Sequence, residues 1–176
     1  MTLSVTSPPH LTALRRHFAD LRDHLHDRPP GRPARTRQDQ DLLFLRAVPL
    51  IDPHARRALE ELNTHLLLET GLTSATGVRR TLERGLDALW ELSWPAQRAA
   101  GVNPVRLHAF HGAGFHLPHL QGGTVGQWPL NVTTEDDAAA ELPTLRAIAS
   151  ADLHNLVFQS DLGIIPALTG PAPDPA

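Results

Sequence analysis

The chain has 176 residues and a formal net charge of −3, with sixteen Arg, no Lys, no Cys and no Tyr. These absences exclude Schiff-base and pyridoxal chemistry, a Walker A phosphate loop, thiol nucleophiles, thiolate metal ligands and disulfides. Whatever chemistry the protein performs must rest on His, Asp, Glu and Arg.

Neither a Gly-x-Ser-x-Gly elbow nor a Gly-x-Gly-x-x-Gly loop is present, so an ordinary hydrolase triad and a nicotinamide cofactor are both unsupported. No apolar run approaches the roughly 20 residues that span a bilayer. Met1 to Pro9 lacks the basic start and apolar core of a secretory signal, so a cytoplasmic protein without membrane contact is expected. Arg without Lys, beside abundant Ala, Pro and Gly, also fits GC-rich coding. Arg enrichment is therefore weak evidence of function. Residues 1–100 hold 14 Arg against 12 acids, and residues 101–176 hold 2 against 7.

In chain order, Ser7-Pro8-Pro9 reads as a helix start. Leu11, Leu14, Phe18, Leu21 and Leu25 then form an apolar stripe at heptad spacing, predicting a helix over 8–27 that packs on its own core or on a second copy. His10, His17 and His24 flank the stripe. Residues 28–37 are Pro-rich and carry four Arg, which suits a solvated linker or an acidic or nucleic-acid partner. A short helix is expected from Asp39 to Val48, ended by Pro49. A second should begin at Asp52-Pro53, bury Ala55, Ala58, Leu59, Leu62 and Leu66, and stop before Gly71. A third is expected from Ser74 to Trp94, burying Val78, Leu82, Leu86, Leu89 and Trp90.

The pattern changes after Val102. Val105–Phe110, Phe115–Leu120 and Thr124–Val132 read as short strands separated by glycines, with Pro118 and Pro129 suited to edges. Thr133 or Thr134 then caps a helix with Glu135, Asp136 and Asp137 in its first turn, kinked or restarted at Pro143 and ending near Gly163. The expectation is a mainly α protein: an antiparallel helical bundle with a small β-hairpin or three-stranded β-element near residues 105–132, an α+β arrangement. It forms one domain over 1–165, with a Pro-rich tail over 166–176.

The densest chemistry is His108, His111, His116 and His119, four imidazoles within twelve residues of a Gly-rich stretch. Imidazole is the commonest metal ligand. These four are candidate ligands for zinc or another divalent metal, with Asp136, Asp137, Asp152 or His154 completing the set. The order His116 or His119, Gly122-Gly123, Asn131 is similar to the His…Gly-Gly…Asn order of ββα-metal nucleases. The helix that follows here lacks the further metal-binding His of that family.

Three functions compete on this reading. The first is a non-catalytic or regulatory binding module, homodimeric through the 8–27 stripe. The second is a metal-dependent hydrolase or nuclease built on the His cluster. The third is nucleic-acid binding through the Arg-rich loop 28–37.

Overall fold

The computed structural model describes residues 36–112 and 117–169, together with helical positions Leu11, Leu14, Arg15, Phe18, Ala19 and Arg22. A long helix, α1 (Arg37–Leu66), precedes five antiparallel pairings among strands β1 (Leu72–Ala75), β2 (Arg79–Arg80), β3 (Leu86–Ser93), β4 (Val105–His111), β5 (His119–Gly122) and β6 (Trp128–Pro129). A short helix, α2 (Pro95–Ala99), links β3 to β4. After β6 come a second long helix, α3 (Glu135–Gln159), a 3₁₀ turn (Leu162–Ile164) and a last short helix, α4 (Pro166–Thr169). Helices plus an antiparallel β-element are thus the architecture, with a larger sheet than composition suggests.

Helix α1 begins on a capping box. The Thr36 hydroxyl accepts from the Asp39 amide, and the Asp39 carboxylate accepts from the Thr36 amide. It then runs unbroken through Pro49 and Pro53. Each Pro removes one helix hydrogen bond and crowds the preceding turn. Both lie on the exposed side of α1, where water can satisfy the freed carbonyls. Meanwhile the opposite face, Phe44, Ala47, Val48, Ile51, Ala55, Ala58 and Leu59, stays in register as one buried stripe. The expected break at Pro49 therefore does not occur. Pro143 lies likewise on the exposed side of α3, which continues through it.

The helix expected from Ser74 to Trp94 is replaced by β1, β2 and β3. The competing signal is an alternation: Leu86, Ala88, Trp90 and Leu92 are buried, and Asp87, Leu89, Glu91 and Ser93 are half-exposed. This period of two belongs to a strand with one face covered. Leu82, expected on a buried helix face, is fully exposed at the hairpin tip. The chain reaches β1 through Leu68 and Glu69, both in left-handed backbone at φ 53° and 60°. Gly71 then lies under Asn63, whose amide both accepts from and donates to the Gly71 backbone. A Cβ at Gly71 would come within 2.5 Å of Asn63 Oδ1, so a larger residue there must displace that side chain.

Both long helices cover the same face of the sheet. Trp90 of β3 donates from Nε1 to Asp52 of α1 at 2.7 Å. Arg146 of α3 grips both carboxylate oxygens of Glu61, and this pairing holds the Glu61 carboxyl below its ordinary range. The N-terminus of α1 meets the end of β4 through Arg37, while Asp152, late in α3, meets the start of β4. The two helices therefore run in the same direction, because the whole sheet lies between them in sequence. The core lies between helices and sheet and includes Trp90, Trp94, Leu107, Leu120, Leu145 and Leu156.

Candidate functional site

Strand alternation decides where the candidate histidines go. On β4, Val105, Leu107, Ala109 and His111 face the helices, whereas Arg106, His108 and Phe110 face away from them. His111 is fully buried. Its Nδ1 lies 3.1 Å from Asp41 of α1, and its ring leans on Phe44. Arg37, the one arginine of the 28–37 stretch among the described residues, donates to the carbonyls of His111 and Gly112 and pairs with Asp41. His111 and Arg37 thus clamp the start of α1 to the end of β4.

His108 points to the opposite side. Its Nε2 faces the Asp87 carboxylate at 3.4 Å and its Nδ1 meets the Gln121 amide at 3.0 Å, so both ring nitrogens are engaged within the fold. Burial lowers the affinity of His108 for a proton, partly offset by Asp87. His119, on β5, stands across from Phe110 and holds the Leu117 carbonyl through Nδ1 at 2.9 Å. Burial lowers its pKa as well. The rings of His108, Phe110 and His119 stack in a row, with centroids 5.3 and 5.8 Å apart. His116 lies outside the described residues.

The metal expectation is corrected by this geometry. Among the described residues, no group of three or more His, Asp or Glu side chains is placed to hold a metal ion. His108 and His111 stand three positions apart on one strand and so face opposite sides of the sheet, and His119 is turned to its own backbone. The residues offered to complete a set are also occupied elsewhere. Asp137 closes the capping box of α3 with Thr134, Asp136 lies in the same first turn, and exposed His154 rests against Phe158. Zinc or another divalent metal therefore has no support as a cofactor.

Asp152 is fully buried and takes three hydrogen bonds, from the Arg106 amide, the Thr124 amide and the Thr124 hydroxyl. It anchors the turn after β5 to α3. A Cβ at Gly123 would approach its carboxylate to 3.2 Å.

Among the described residues, three concave surfaces stand out. A polar cleft of about 250 Å³ lies on the open face of the sheet between Asp87, Arg106, His108, Gln121 and Gly123. Its charges are matched in pairs, Arg79 with Asp87 and Arg106 with Glu91. An apolar groove of about 460 Å³ runs between α3 and the β5–β6 turn. A second apolar groove, of about 300 Å³, lies where the C-terminal halves of α1 and α3 meet the closing turns.

Sequence reasoning missed Asp87, Gln121 and Glu141. Asp87 was hidden by the helical reading of 74–94, although its place in the Leu86–Leu92 alternation marks it as outward-facing. Glu141 carries no local signal, because its burial depends on the sheet beneath α3.

No protein-family model matches the chain, and neither does any curated protein or solved structure. Among the described residues, no helix is long and apolar enough to cross a membrane.

Proposed function

We propose that the protein is a non-catalytic, regulatory binding module that works as a homodimer, with the apolar stripe expected over residues 8–27 of one copy lying in the α1–α3 groove of the other. The observation that carries this reading is the groove itself. Leu62, Leu66, Leu153 and Val157 form its floor, and Phe158, Leu162 and Leu168 stand at its rim, 79%, 59% and 63% exposed. Clustered large apolar side chains at a concave surface are the usual mark of a protein contact. The chain also carries a surface of matching chemistry: Leu11 and Phe18 of the N-terminal stripe are 44% and 57% exposed.

His108, His111, His119, Arg37 and Asp152 are held by partners in the fold, which favours binding over catalysis. The test is light scattering or sedimentation of the full chain at micromolar concentration. A dimer is expected, and Phe158→Asp combined with Leu162→Asp should convert it to monomer without changing the melting temperature by more than a few degrees. A wild-type chain that stays strictly monomeric at that concentration overturns the reading.

A further inference from the structure

The two edges of the sheet are built differently. At one, β6 is two residues long and includes Pro129, which has no N–H to donate. At the other, β1 pairs with β3 alone. The Thr76 amide donates to the Leu89 carbonyl, which makes Thr76 and Leu89 a hydrogen-bonded pair. Such pairs alternate along an antiparallel ladder, so Ser74 with Glu91 and Leu72 with Ser93 are bonded in the same way. The N–H and C=O groups of Thr73 and Ala75 therefore point away from β3, and among the described residues nothing bonds them.

Both ends of this open run are closed. Asn63 engages the Gly71 backbone. Past Thr76, Gly77 at φ 64° and Val78 lie together opposite Ala88, a bulge that interrupts the edge before β2. The open run is thus 72–76, centred on Ser74. Exposed strand edges are ordinarily guarded by charge or proline. Thr70–Val78 contains neither, and Leu72 is 68% exposed.

We propose that β1 pairs antiparallel with β1 of a second copy about a two-fold axis at Ser74, joining two sheets into one. In that register Thr73 of each copy lies opposite Ala75 of the other and exchanges both backbone hydrogen bonds with it, and the two Ser74 side chains meet at the axis. The occupant is a second copy because the run is its own complement. Its free groups fall symmetrically about Ser74, and no like charges are opposed. The helices do not obstruct the pairing. Gly71, where the end of α1 reaches the sheet, stands opposite residue 77 of the other copy, so the two α1 ends lie about 20 Å apart along the strands. Since β6 offers no second open edge, the pairing stops at two sheets. None of residues 72–76 lines the groove of the dimer proposed above, so the contact adds to that dimer and does not depend on it. An interface this small is weak and acts at higher concentration than the groove.

The experiment uses the full chain carrying Phe158→Asp and Leu162→Asp, which removes the groove contact. Sedimentation from about 20 µM to about 1 mM should show monomer giving way to dimer. Over the same range, amide hydrogen exchange at Thr73 and Ala75 should slow at least twofold. Ser74→Lys and Ser74→Glu remove no backbone bond. Each should weaken association at least tenfold by setting like charges together at the axis, and an equimolar mixture of the two should recover it. A mass that stays monomeric to 1 mM, association without slowed exchange at Thr73 and Ala75, or a mixture that associates no better than either variant alone would each overturn the proposal. Because the groove contact is already removed, failure of the groove dimer does not alter any of these results.

Discussion

Two carboxyl groups are buried on α3, about three helical turns apart, and the surroundings of the two differ completely. Asp152 takes three hydrogen bonds from Arg106 and Thr124 and so holds together the start of β4, the turn after β5 and the helix. Glu141 has its Oε2 buried without a hydrogen-bond partner among the described residues, and burial raises its pKa to about 7. The first is what a buried acid looks like when the fold uses it. The second is what one looks like when the fold alone does not. The same residue chemistry on the same helix therefore gives a structural anchor at one end and a destabilised buried acid at the other.

Removing the anchor should have the larger effect. Asp152→Ala leaves the Arg106 amide and both Thr124 donors without an acceptor. Charge-assisted hydrogen bonds contribute about 1.5–3 kcal/mol each, and not additively, so a loss of about 3–5 kcal/mol is expected. Urea unfolding monitored by Trp fluorescence measures it. A loss below about 1 kcal/mol would mean that Asp152 does not hold the turn, and the contrast with Glu141 would collapse.

Glu141 should act in the opposite direction, and only as pH rises. Its carboxyl is held near pKa 7 in the folded chain against an ordinary value of 4.5. Below pH 4.5 both folded and unfolded chains carry the proton, and the group is neutral to stability. Between 4.5 and 7 the unfolded chain gives up its proton while the folded chain keeps it, so stability falls as pH rises. Above 7 the full penalty persists, up to about 3 kcal/mol at 1.36 kcal/mol for each pKa unit. Glu141→Gln should flatten this part of the profile and leave the variant more stable than the parent at pH 8. Unfolding midpoints at pH 5 and pH 8 read both effects. A variant with an unchanged slope would show that the carboxyl is not buried as described.

These contrasts also explain how much could be read from the sequence. The capping of α3 at Thr134 with its acidic first turn, the stripe of α1 from Ala55 to Leu66 and the strand from Val105 all follow from local pattern, whereas the next two strands lie at His119–Gly122 and Trp128–Pro129, displaced from or shorter than the expected 115–120 and 124–132. The helix expected over 74–94 fails because Val78, Leu82, Leu86, Leu89 and Trp90 satisfy a helical period by coincidence. Leu86, Ala88, Trp90 and Leu92 satisfy a strand period that tertiary packing enforces. The break expected at Pro49 fails for a related reason: a proline on the wet side of a helix costs less than interrupting a continuous buried face. The His cluster was legible as a concentration but not as a site, because convergence depends on which side of a sheet each residue occupies. Glu141 was not legible at all, since an orphaned oxygen exists only once the neighbours are in place.

The smallest expected effect lies on the open face of the sheet. His108 joins Asp87 to Gln121, but Asp87 keeps its paired contact with Arg79 when the imidazole is removed. The His108 side chain is also about one-quarter exposed, so water can replace its hydrogen bonds. His108→Ala should therefore cost no more than about 1 kcal/mol at pH 8. Its pH signature is opposite to that of Glu141. Burial holds the imidazole pKa below its ordinary 6.5, so the unfolded chain takes up the proton first as pH falls, and the His108 contribution to stability is lost on the acid side. Replacing His108 should thus make the variant lose less stability than the parent between pH 6.5 and pH 5. Combined with Glu141→Gln, it should leave a profile flatter on both sides than either change alone. A cost well above 1 kcal/mol, or a changed slope on the Glu141 side of the profile, would show that the two faces of the sheet are coupled rather than independent.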